Sequence, residues 1–207
     1  MTQALRRMGV AAVLSAGSVV SSFASGDQVK TVAPFRAELA VHWGDPAGSD
    51  AFLDDLKRSM AATLATACFA AVVLADGDEK PAESELVLTL VVAQTVDETR
   101  FDDPIAATLE PGEPSKELRR VAEFDVAMEA SLSVRATGAP VYRKRFVASA
   151  VRRPMYVGED PQATARAQTI VNAVRELTKT LGCGGEKLER KIRAALARSG
   201  PETPPAR

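Results

Sequence analysis

From Ala122 to Arg135 the chain alternates. Ala122, Phe124, Val126, Met128, Ala130, Leu132 and Val134 are apolar, and Glu123, Asp125, Glu129, Ser131, Ser133 and Arg135 fall between them. A period of two puts successive side chains on opposite faces, so the segment predicts a long strand with one dry face and one wet face. Thr137-Gly138 supplies the turn, since glycine takes positive φ without steric cost, and Val141 to Val151 returns as the hairpin partner. Arg143 and Arg145 share parity with the polar positions of the preceding strand, so opposite charges can meet across that wet face. Phe35 to Trp43 alternates too, with Phe35, Ala37, Leu39, Val41 and Trp43 on one side and Arg36, Glu38 and His42 on the other. Phe69 to Ala75 is a continuous apolar run ended by Asp76-Gly77-Asp78. Leu86 to Val96 is apolar on both faces, which predicts a strand central in its sheet.

Helical spacing appears elsewhere. Phe52, Leu56, Met60 and Leu64 recur on one face, after Ser49 or Asp50 as cap and with Asp54 and Asp55 in the first turn. Asp160-Pro161 opens a second helix, with Asp as N-cap and Pro where a missing N–H costs nothing. Its expected buried stripe is Ala163, Ala167, Ile170, Val174, Leu177 and Leu181, and Gly182 ends it. Leu188, Ile192 and Leu196 mark a last, strongly charged helix. Phe101 to Lys116 holds Pro104, Pro111, Gly112 and Pro114 and reads as a long acidic loop. The expectation is an α+β fold: a single, mostly antiparallel sheet of about five strands, two main helices packed on one face, and a short C-terminal helix.

The amino terminus adds an address. Arg6 and Arg7 precede a stretch from Met8 to Gly26 that carries no charge, and small residues stand at Ser22, Ala24 and Gly26. This is the signal-peptide pattern, with cleavage expected near Ala24 or Gly26. Ser15, Ser18, Ser21 and Ser22 dilute the run relative to a spanning helix. The expected division is a signal peptide over 1–26, one α+β envelope domain over 27–199 and a disordered Pro-rich tail over 200–207. The location this implies is the periplasm. No cysteine near the cut offers a lipid acceptor.

Charge is balanced, with 26 Lys and Arg against 27 Asp and Glu, so bulk electrostatics names no partner. The distribution is uneven: Asp76 to Glu117 is acidic and Arg119 to Arg153 leans basic. Arg143, Arg145, Arg152 and Arg153, with Asp102 and Asp103, are therefore the candidate interaction surface. Mutual neutralisation is the plainer explanation of the same pattern. The two cysteines, Cys68 and Cys183, permit one disulfide in an oxidising compartment. The alternative is that Cys68 is a small core residue.

Candidate chemistry is sparse. His42 is the sole histidine, which excludes His-based triads and multi-histidine metal sites. Gly182-Cys183-Gly184-Gly185 lacks the Lys-Ser/Thr of a phosphate loop and follows a helix. Asp76-Gly77-Asp78-Glu79 lacks EF-hand spacing. No catalytic, cofactor-binding or metal residue is assigned, and no cofactor is expected. Anionic lipid headgroups are a more plausible target for the basic segment than nucleic acid.

Four segments carry a resemblance: Val32-Ala33-Pro34-Phe35, the helix with Phe52-Leu53 and Leu56, the strand Glu85-Leu86-Val87-Leu88-Thr89-Leu90, and the hairpin Ser133-Val134-Arg135-Ala136-Thr137-Gly138 leading to Val141-Tyr142. With an Ala-rich closing helix, this order resembles envelope domains related to the amino-terminal domain of TolB and to the CsgG and LpoB lipoproteins. The resemblance implies a non-catalytic accessory protein acting through contacts with envelope proteins in assembly or transport. A periplasmic lipid or small-molecule binding protein is the alternative, with Leu86 to Val96 as a pocket wall.

Overall fold

The computed structural model describes residues 32–44, 50–75, 84–102 and 108–198. The expected signal peptide, the tail and Asp103 lie outside the described residues. The elements run β1 (Ala33–Trp43), α1 (Asp50–Ala67), β2 (Phe69–Leu74), β3 (Leu86–Phe101), α2 (Pro114–Glu117), β4 (Arg120–Val134), β5 (Pro140–Arg152), α3 (Pro161–Leu181) and α4 (Glu186–Arg198). The strands form one five-stranded sheet in the order β2-β1-β3-β4-β5. β3 is central, as its two apolar faces require.

The sheet is mixed, which corrects the expectation of a mostly antiparallel one. β1 is parallel to both β2 and β3, while β3–β4 and β4–β5 are antiparallel. The cause lies in two connections. α1 carries the chain back along the sheet, so β2 starts at the same end as β1, the strand–helix–strand arrangement of parallel pairs. β3 follows β2 in sequence but pairs with the other edge of β1, beginning opposite Ala37 where β2 ends opposite Leu39, and it too runs parallel to β1.

One face of the sheet is dry. Phe35, Ala37, Leu39 and Val41 of β1, Leu86 to Val92 in steps of two on β3, and Phe124 to Val134 in steps of two on β4 are all buried. They join Leu56, Met60 and Leu64 of α1 and Ile170, Val174 and Leu177 of α3 in a single core. The expectation of two covering helices and a minor third is too small. α4 runs 13 residues and adds Leu188, Ile192 and Ala195 to that core. The stripe on α3 is also corrected. Ala163 and Ala167 are exposed, and Ala165, Thr169 and Ala173 are buried instead. Thr169 satisfies its hydroxyl by donating to the carbonyls of Phe124 (2.8 Å) and Ala165 (2.9 Å), so a polar residue occupies the inward position at no desolvation penalty.

Both ends of α3 follow their caps. The Asp160 carboxylate accepts from the Gln162 N–H, and Pro161 sits at the first turn. Gly182 closes the helix at φ 77°, ψ 38°, the left-handed conformation that glycine enters without strain. Next to it, Cys183 is joined to Cys68 by a disulfide with a Cα–Cα distance of 4.6 Å. The bridge ties the end of α3 to the junction of α1 and β2 across 115 residues of sequence.

Candidate functional site

The second face of the sheet is built from the wet positions of the alternating strands. Register places His42, Val91, Glu129 and Arg145 in one row across β1, β3, β4 and β5. The next row holds Thr89, Ser131 and Arg143. Beyond Val92 the register shifts: Val92 faces Met128, Gln94 faces Ala127, and Ala93 is the extra residue of a β-bulge. A one-residue slip exchanges the faces of everything after it. Thus Asp97 reaches Arg166 and Thr99 reaches Gln162, both on α3, on the side that uninterrupted alternation assigns to Val96 and Glu98.

The bulge leaves a shallow depression of about 680 Å³ on the open face. Val91, Ala93, Ala127 and Val147 line it, together with Met128 and Phe146, and Glu129 and Arg145 stand at its border. Val147 is 64% exposed in the middle of a strand, where an apolar residue gains nothing from water. One oxygen of Asp125, two positions from Ala127, is shielded and finds no hydrogen-bond partner among the described residues.

Glu129 organises the border. Arg145 Nε donates to its Oε2 at 2.6 Å and Arg143 Nε to its Oε1 at 2.6 Å. The hydrogen bond from Arg145, then that from Arg143, holds the Glu129 carboxyl below the usual carboxylate range. The cross-strand pairing read from parity is therefore present, with one acid serving two bases. On the opposite face of the same strand, β5, Tyr142 donates its hydroxyl to Thr180 of α3 at 2.8 Å, and burial raises its pKa above the ordinary phenol value.

The other candidate residues lie elsewhere. Arg153 pairs with Asp102 at 2.6 Å, and Arg152 donates to the carbonyl of Val151, both at the far end of β5. The four arginines thus fall in two places, the bulge border and the strand end. A second groove of about 430 Å³ runs between α1 and α3, lined by Phe52, Asp55, Arg58, Arg166, Ile170 and Val171 among others. The exposed Ala163 and Ala167 belong to it. The bulge and the groove were missed in sequence, because neither breaks the apolar pattern that locates the elements. His42 is exposed on β1. Among the described residues, no group of three or more His, Cys, Asp or Glu is placed to hold a metal ion. Among the same residues, no helix is long and apolar enough to cross a membrane.

No family model matches the chain. No curated protein matches it either. Among solved structures it is similar to a minor lipoprotein from Acinetobacter baumannii, at 11% identity and a TM-score of 0.40, over 72% of this chain and 91% of that one. It is similar to lipoprotein GNA1162 from Neisseria meningitidis, at 12% identity and a TM-score of 0.40, over 71% of this chain and 99% of that one. A dodecamer-forming PelC variant from Paraburkholderia phytofirmans aligns at 14% identity and a TM-score of 0.34, over 68% of this chain and 88% of that one.

Proposed function

We propose that this chain is a non-catalytic accessory protein of the bacterial cell envelope, exported to the periplasm, that docks a partner protein on its open sheet face. The observation that carries the reading is the apolar depression at the bulge, set in an otherwise polar face. An apolar centre inside a charged border is the anatomy of a protein interface. Glu129 and its two arginines fix the charge pattern around the centre, which favours one orientation of a partner over others. The resemblance to the TolB, CsgG and LpoB domains and the signal-peptide pattern support the same setting. The test is affinity capture from envelope extract with the wild type and with Val147→Asp. Docking predicts a defined protein retained by the wild type and lost from the variant. Equal capture by both overturns the assignment of the face.

A second reading is favoured by the size of the depression. Its volume lies within the range of about 300–1,000 Å³ typical of small-molecule sites. Glu129 and Arg145 at its border offer polar contacts beside apolar walls. On that reading the chain is a periplasmic carrier of a lipid or small molecule. Native mass spectrometry of the protein recovered from the periplasm separates the two: a bound small molecule absent from Val147→Asp supports the carrier.

A further inference from the structure

Eight large hydrophobic side chains are exposed among the described residues, and six of them gather at one end of the sheet. Phe101 closes β3, Leu118 lies just before β4, and Val151 lies at the end of β5. Phe101 pairs with Arg120 and Arg152 with Ala122, which brings these strand ends side by side. Beyond Val151 the chain turns through Met155, Tyr156 and Val157, which are 89%, 65% and 52% exposed. Three successive apolar residues facing water oppose the hydrophobic effect unless something covers them.

The turn is held in shape. The Glu159 carboxylate accepts from the Met155 N–H at 2.6 Å, the Glu159 N–H donates to the Tyr156 carbonyl, and Gly158 has φ 93°. Its apolar side chains are therefore presented outward by bonds within the turn. Charges nearby are largely cancelled. Arg153 pairs with Asp102, Arg120 with Glu117 and Arg100 with Glu123. Lys116 stands 5.5 Å above the Phe101 ring. Apolar area with an aromatic amphiphile, rimmed by long cationic stems, fits the boundary between lipid headgroups and acyl chains. There Tyr lies at the interface and Arg and Lys keep their charge in water. A protruding turn needs no complementary concavity in a bilayer, whereas a protein partner must supply one.

We infer that this tip, Met155-Tyr156-Val157 with Phe101 and Leu118 beside it, inserts shallowly into a lipid bilayer surface. Insertion is driven by apolar area and not by net charge. The inference goes beyond the docking role of the open face and does not depend on what that face binds.

The experiment uses the full chain with Met155→Cys, labelled with an environment-sensitive fluorophore. Cys68 and Cys183 are engaged in the disulfide, so the label has one thiol. Val171→Cys, on the exposed side of α3, is the control. Vesicles of phosphatidylcholine alone and of phosphatidylcholine with phosphatidylglycerol are both used, at low and at high salt. The expected result is a blue shift and enhanced emission at position 155 on both vesicle types, persisting at high salt, with no change at 171. In the same chain, adding Tyr156→Ser and Val157→Asp weakens the response about tenfold or more, as expected for removing buried apolar area from an interface. An unchanged spectrum at position 155 with both vesicles overturns the proposal. So does a response confined to anionic vesicles at low salt, which assigns the contact to charge. A response at 155 that appears only with envelope protein present assigns the tip to a protein partner and also overturns it.

Discussion

The disulfide offers the sharpest test of how this fold is held. Replacing both cysteines, as Cys68→Ala with Cys183→Ala, opens a loop of 115 residues. In the chain-entropy relation a closed loop of that size removes about 16 cal/mol/K from the unfolded ensemble, or about 4.8 kcal/mol at 25 °C. Single domains of this size are stable by about 5–15 kcal/mol, so the variant is expected to lose between about a third and nearly all of the original margin. Native packing near the bridge changes little, because the Cys68 N–H still donates to Leu64 and the Ala33 N–H to the Cys68 carbonyl. Urea unfolding followed by far-ultraviolet circular dichroism measures the effect, with the wild type kept oxidised. Cys183→Ala alone is expected to lose nearly as much as the double variant, since the bridge acts as one unit. A loss under about 1 kcal/mol in the double variant refutes the reasoning, because loop entropy of this size cannot vanish while the bond is intact. Two titratable thiols in the native wild type refute it as well.

Other consequences are smaller in scale. Thr169→Val keeps the shape of a fully buried side chain but removes the hydrogen bond to the Phe124 carbonyl, and is expected to cost about 1 kcal/mol in thermal or urea unfolding. Gly182→Ala meets no atom within 4 Å yet must hold φ at +77°, so a loss of about 1–2 kcal/mol from conformation alone is expected by the same measurement. Glu129 has a native pKa below its unfolded value. Its contribution to stability is thus fully present above the ordinary carboxylate pKa of about 4.3 and is lost as pH falls through the lowered native value. Glu129→Gln is expected to remove that part of the acid dependence, and carbon-detected NMR titration of the carboxyl group checks the direction in the wild type.

Much of the architecture was legible because burial leaves a periodic trace. The alternation from Ala122 to Val134 and the recurrence of Leu56, Met60 and Leu64 each report one dry face, and each is buried as a set. Parity alone also placed Arg143 and Arg145 on the polar face of the hairpin, and the structure shows Glu129 to be the acid they meet there. Strand direction was not legible, because a crossover and a hairpin link can have the same composition and length; only the pairing of Leu39 with Leu74 and of Ala37 with Leu86 distinguishes them. The bulge at Ala93 was hidden for a related reason. Val91, Val92 and Ala93 are apolar whichever face they occupy, so the sequence carries no mark of the slip that turns Asp97 toward α3. The stripe of α3 was misplaced at its first two turns because alanine spacing there fits two adjacent faces equally, and the Thr169 hydroxyl, satisfied by Phe124, took a position reserved for apolar residues.

The candidate site follows from that slip. A flat, regular sheet face with Glu, Ser and Arg on it would be an ordinary wet surface. The extra residue breaks the regular face beside Ala127 and Val147, and those apolar side chains then line a depression bordered by fixed charge. The role proposed for this face is most directly tested by a photo-crosslinking residue placed at Val147 in the exported chain and activated in living cells. Docking on the open face predicts one discrete crosslinked protein from position 147, absent when the same residue stands at Val171. Crosslinks absent at 147, or identical at both positions, contradict the account.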